Sequence, residues 1–105
     1  KEESGLDIQR FDDKLIKIKS KFTTDKEVDR ITTHSEIASL SLIWSVKEAI
    51  FKRYGTGVPF LSINIISYDP IKNIVMAELE RGKRVVTHRL QADFIGDMSL
   101  AYVLE

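Results

Sequence analysis

Trp44-Ser45-Val46-Lys47-Glu48-Ala49-Ile50-Phe51-Lys52-Arg53-Tyr54-Gly55 sets a carboxylate and two lysines into a segment that otherwise reads as a buried helix. From about Ser35 to Tyr54 there is no Pro or Gly, Thr33 and Ser35 are candidate N-terminal caps, and Gly55 is the residue type that most often closes a helix in a left-handed C-terminal cap. The segment is therefore predicted to be a helix. At about 100° per residue, Ser41, Ser45, Glu48 and Lys52 fall within about 60° of one another, while Leu40, Ile43, Val46, Ile50 and Tyr54 lie away from that stripe. Such a stripe needs a polar partner on the element it faces. Taken alone, a Glu followed four residues later by a Lys is the ordinary ion pair of a solvated helix face. The rest of the chain points elsewhere.

In Ser4-Gly5-Leu6-Asp7-Ile8-Gln9, Leu6 and Ile8 alternate with Asp7 and Gln9 in the period of a strand, so the two polar side chains share one face. A Gly-x-Asp at a strand start is by itself an ordinary loop cap or a partner for a nearby lysine. Together, the two segments resemble the signature of the 4'-phosphopantetheinyl transferase superfamily, whose first motif is Gly-Ile/Val-Asp-Ile-Glu and whose second is Trp-x-x-Lys-Glu-Ala-x-x-Lys-x-x-Gly. Residues 44–55 match the second in full. Gln9 departs from the first, since many relatives carry a second acid there.

The connection is similar as well. Phe11, Leu15, Ile18 and Phe22 at helical spacing lead into Lys21-Phe22-Thr23-Thr24-Asp25-Lys26-Glu27, which resembles the family's Arg-Phe-Phe-Ser-x-x-Glu element. Thr24 and Glu27 independently form a capping-box pattern, which starts a new helix. Beyond Gly57 the period changes: Phe60 to Tyr68, Asn73 to Leu79, Arg84 to Ala92 and Met98 to Leu104 read as strands, with turns at Asp69-Pro70, Arg81-Gly82-Lys83 and Asp93 to Asp97. The predicted architecture is α+β: a curved antiparallel sheet, joined by the Asp7 strand, packed on the long helix. No repeat or Pro/Gly-rich linker divides residues 1–105, so a single domain is expected.

Composition sets limits. An apolar content of 43% supports a modest core, and 16 basic against 16 acidic residues create no net field toward DNA or an anionic membrane, so neither partner is expected. Without cysteine there is no disulfide scaffold, thiolate zinc site or thiol nucleophile. No run approaches a membrane span and no signal-peptide pattern opens the chain, which fits a cytoplasmic enzyme. Lys1 stands at the start in place of Met, directly before the Gly-Leu-Asp motif, so the sequence is expected to be part of a longer polypeptide.

The resemblance implies an enzyme of the holo-acyl carrier protein synthase type, active in pathways such as fatty acid biosynthesis. It would transfer the 4'-phosphopantetheine arm of coenzyme A to a serine of an acyl or peptidyl carrier protein, with Mg²⁺. Members of the family build their site between two such units, so either a homo-oligomer or a second, preceding repeat is implied. This chain is similar to the second repeat of the two-repeat type, one half of a pseudo-dimer, and the Ser-His segment of the first repeat has no counterpart here. Asp7 and Glu48 are the implied metal carboxylates, with Gln9 adding a carbonyl oxygen or holding a metal-bound water. Glu48 would serve as base for the serine, and Lys52 would neutralise the pyrophosphate and protonate the departing oxygen. Lys47, about 100° away from Glu48, would touch a phosphate from the side. Trp44 is read as a core anchor, and His34 and His88 as surface or structural residues. The alternative is a non-catalytic relative that binds a carrier protein or sister subunit.

Overall fold

The computed structural model describes residues 5–55 and 57–104; Lys1, Ser4 and the other residues of 1–4, with Thr56 and Glu105, lie outside the described residues. The chain opens with strand β1 (Leu6–Arg10), followed by helix α1 (Lys14–Ile18), a 3₁₀ turn at Lys19–Lys21, helix α2 (Asp25–Arg30) and helix α3 (Glu36–Tyr54). A second 3₁₀ turn (Phe60–Ser62) leads into β2 (Ile63–Asp69), β3 (Ile74–Arg81), β4 (Arg84–Ile95) and β5 (Met98–Val103). The five strands form one antiparallel sheet in the order β1-β5-β4-β3-β2, so the first strand closes the edge beside the last. The α+β architecture read from the sequence is therefore the observed one.

Local signals explain the long helix. The Ser35 hydroxyl accepts the Ala38 N–H at 3.2 Å and caps α3, while Thr33, the other candidate, donates to the Ser35 carbonyl. At the far end Gly55 takes φ +90°, a conformation that favours glycine, and its N–H returns to the Phe51 carbonyl at 3.0 Å. Between these ends α3 is buried on most of its circumference: Leu40, Ile43, Val46 and Ile50 face the sheet and are fully enclosed with Ile63, Val75, Ala77, Leu90 and Ala92. Trp44 packs edge-on to Phe22 and Phe60, each 5.1 Å away between ring centroids, as its reading as an anchor requires.

Apart from shifts of a residue at other ends, four stretches differ from the sequence reading. One is β3, which continues past Leu79 to Arg81 because Glu80 and Arg81 pair with Val85 and Arg84. Phe60–Ser62 coils into a 3₁₀ turn before β2, held by the Ser62 N–H on the Pro59 carbonyl. β4 continues past Ala92 to Ile95, because Asp93, Phe94 and Ile95 stay in register with Leu100, Ser99 and Met98 and leave a tight turn at Gly96 and Asp97. Phe11 to Phe22 holds two short helical pieces in place of one helix.

Candidate active site

β1 inverts the usual placement of polar and apolar residues. Its alternation holds, yet Asp7 (7% exposed) and the half-buried Gln9 turn toward α3, while Leu6 and Ile8, 41% and 59% exposed, turn outward. The inward face is polar because the stripe on α3 lies against it. Ser41 and Ser45 are fully buried there and both bond to the Ser99 hydroxyl of β5, at 2.7 and 2.6 Å, and Ser41 also donates to the Gln9 carbonyl at 3.3 Å. Two helical turns beyond Ser45, Lys52 donates to Asp7 Oδ1 at 2.9 Å and to the Leu6 carbonyl at 3.2 Å. An ammonium has three protons to give, so one remains for a further acceptor.

Asp7 Oδ2 is buried with no hydrogen-bond partner among the described residues. Such an orphan ordinarily costs about 1–3 kcal/mol, more for a charged group, and marks a place where an unseen partner belongs. Burial pushes the Asp7 carboxyl above its ordinary range; the Lys52 ammonium and the Ser45 hydroxyl oppose that shift without cancelling it. Glu48 is also pushed up, by burial first and by the negative charge of Asp7 second, with Lys52 opposing. Two carboxyls close enough to repel, both disfavoured as anions, form a site that a cation would relieve. Among the described residues no group of three or more His, Cys, Asp or Glu is arranged to hold a metal. Mg²⁺ does not require one, because it is usually held by one or two carboxylates, with phosphate oxygens and water completing its octahedron. Asp7 and Glu48 fit that donor set.

The remaining expected residues separate. Gln9 shares the inward face, but its amide nitrogen donates to the carbonyl of its neighbour Arg10 at 2.7 Å. Lys47 does not join the site, which corrects its reading as a phosphate contact. It is 0% exposed on another side of α3, where its ammonium donates to Glu27 Oε1 at 2.9 Å and to the Phe22 carbonyl at 2.6 Å. A lysine sealed by two protein acceptors has no access to a phosphate. His34 is exposed and stacks with Phe11 and Phe94, and His88 is buried with its Nε2 2.6 Å from the Tyr54 hydroxyl, so neither belongs to the site. The sequence reading missed Ser99, although the demand of Ser41 and Ser45 for a polar partner pointed to a hydroxyl on the facing strand.

Residues 3–103 match the family described as the 4'-phosphopantetheinyl transferase superfamily. The chain belongs to that superfamily, whose members move phosphopantetheine from coenzyme A to carrier proteins, typically with a divalent metal. No curated protein gives a significant match to the chain. Among the described residues no helix is long and apolar enough to cross a membrane.

Proposed function

We propose that this chain supplies the metal-binding and proton-accepting half of a holo-acyl carrier protein synthase-type enzyme that transfers 4'-phosphopantetheine from coenzyme A to a carrier-protein serine. The observation that carries the reading is the convergence of Asp7, with its orphaned buried oxygen, Glu48 and Lys52 at the β1–α3 contact. Bound Mg²⁺ would neutralise the pyrophosphate and stabilise charge developing on it. Asp7 Oδ2 and Glu48 would hold that ion. Glu48, raised toward neutrality, is suited to take the proton of the incoming serine hydroxyl as the oxygen attacks the phosphorus on the pantetheine side. The phosphoanhydride bond then breaks toward adenosine 3',5'-bisphosphate, and Lys52 directs its remaining proton at the departing oxygen while its other contacts keep it in place. Gln9 would contribute after its amide turns from the Arg10 carbonyl.

A second unit completes the site in this reading. Among the described residues the outer face of the sheet near β1 is open: Leu6 pairs with Tyr102, Ile8 with Leu100 and Ile95 with Met98, and Leu6, Ile8, Ile95 and Tyr102 are all exposed. Apolar neighbours joined this way favour a second copy or a preceding repeat.

The test is calorimetric titration of the intact protein with coenzyme A and Mg²⁺, paired with a carrier-protein transfer assay. Asp7→Ala and Glu48→Gln are each expected to abolish transfer while leaving the fold intact. Parent-like rates from both variants refute the assignment.

A further inference from the structure

β1 is the outermost strand of the sheet, and its free edge borders the candidate site. The Val103 N–H donates to the Gly5 carbonyl at 2.9 Å and the Phe11 N–H to the Asp97 carbonyl at 2.8 Å. In an antiparallel pair such bonds fall on alternate residues, so Gly5, Asp7, Gln9 and Phe11 turn their main-chain groups toward β5. Leu6, Ile8 and Arg10 therefore turn theirs to the free edge. Two of these outward carbonyls are already covered: Leu6 accepts from the Lys52 ammonium at 3.2 Å, and Arg10 from the Gln9 amide at 2.7 Å. Between them lies Ile8, 59% exposed, and no described residue bonds to its N–H or its carbonyl.

A bare donor and acceptor on a sheet edge form a template for an extended chain. Here the stretch with both groups open is a single residue long, too short for a partner strand. It suits a ligand with one acceptor and one donor at strand-like spacing. The pantetheine arm of coenzyme A is such a ligand, because its two secondary amides are separated by a short methylene spacer, much as two peptide groups flank one residue. Lys52 joins the edge to the site, since the same ammonium bonds the inward Asp7 carboxylate and the edge carbonyl of Leu6.

We infer that Ile8 is a main-chain subsite for the pantetheine arm. Its N–H donates to one amide carbonyl of the arm and its carbonyl accepts the N–H of the other, so the arm lies along β1 as a short added strand. The inference rests on the reading of Asp7, Glu48 and Lys52 as the metal and pyrophosphate site, from which the arm leads off.

The experiment follows amide hydrogen exchange at Ile8 by NMR in the intact protein with Mg²⁺: without ligand, with coenzyme A, and with adenosine 3'-phosphate 5'-diphosphate, which keeps the pyrophosphate but lacks the arm. Exchange is expected to slow by about tenfold or more with coenzyme A and to stay at the ligand-free rate with the truncated nucleotide. Affinities supply a second reading. Ile8→Pro removes the donor at an edge position where no ladder bond is lost, and should weaken coenzyme A roughly tenfold while binding the truncated nucleotide like the parent. Ile8→Val keeps the main chain and should bind both ligands as the parent does. Slowed exchange in the parent carries the test if Ile8→Pro does not fold. The inference is overturned if bound coenzyme A leaves Ile8 exchange unchanged, or if exchange is already slow without ligand because a partner strand covers the edge. It is overturned equally if Ile8→Pro binds coenzyme A like the parent or weakens both ligands alike. A parent protein that binds neither ligand refutes the site reading itself, and the inference falls with it.

Discussion

Lys47–Glu27 and Lys52–Asp7 flank the same helix with the same 2.9 Å contact, yet their surroundings differ at nearly every atom. Glu27 Oε1 accepts from Lys47, from the Thr23 hydroxyl at 2.8 Å and from the Thr24 N–H at 3.2 Å, and Oε2 accepts the Ile65 N–H at 2.7 Å. That pair is closed to solvent: the two side chains are 0% and 3% exposed, and both carboxylate oxygens of Glu27 have donors within the protein. In the other pair the Lys52 side chain is 41% exposed, a carboxylate oxygen of Asp7 is orphaned, and a second acid stands nearby. Distance alone does not separate a structural ion pair from a functional one. Satisfaction does, because a charge whose partners are all supplied by the protein has nothing left to offer a ligand.

The sharpest way to break the comparison is to remove one carboxylate from each pair. Glu27→Ala strands a buried ammonium and is expected to destabilise the fold by about 3–5 kcal/mol in urea unfolding. Asp7→Asn removes a poorly satisfied charge and should leave stability nearly unchanged or raise it. Equal losses would erase the distinction.

A kinetic contrast comes next. Lys52→Ala is expected to lower kcat for phosphopantetheine transfer by roughly 10²-fold, the usual scale for a lost general acid, with little change in fold stability. Lys47→Met should reduce stability but leave the KM for coenzyme A of the folded protein unaltered. An unchanged kcat in Lys52→Ala would reduce that lysine to an ion-pair partner.

The smallest effect is a slope. Asp7 and Glu48 have folded-state pKa values above their unfolded ones, so the native state holds more protons than the unfolded chain between the ordinary carboxyl value and the raised one. Stability should therefore fall as pH rises through that window, with the protonated forms contributing stability only below it. Asp7→Asn removes its share and lowers the coulombic contribution to the Glu48 shift, so its unfolding free energy should be flatter as pH rises above the ordinary carboxyl range. A parent protein whose stability is insensitive to pH there would show that the burial of the two carboxyls is compensated.

Much of this was legible in the sequence, for local reasons. Ser35 and Gly55 bound the helix within a residue, the period of two placed Asp7 and Gln9 on one face, and the stripe from Ser41 to Lys52 announced a polar neighbour. Lys47 was misplaced because its angle on the helix says which way it points but not what waits there. Its partner Glu27 lies 20 residues earlier and reads locally as half of a capping box, a role it does fill. A buried lysine among Ile43, Val46 and Ile50 could have prompted a search for an acid with a second duty. The extension of β4 was invisible for a similar reason, since its pairing with β5 sets it, whereas the 3₁₀ turn before β2 rests on the local bonds from Ser62 to the Pro59 carbonyl.

Glu27 also bears on how the molecule opens. β2 is an edge strand with a bulge between Ile65 and Ser67, the kind of element that frays first and gives up its amide protons early. Here the Ile65 N–H is held by Glu27 and the Ile65 carbonyl by Arg30 at 2.8 Å, both from α2, and Glu27 is tied in turn to α3 through Lys47. Freeing that edge exposes a buried carboxylate and a buried ammonium together. Hydrogen exchange at the Ile65 amide is therefore expected to be slower than at an edge strand held by its ladder alone, and to quicken in Glu27→Ala.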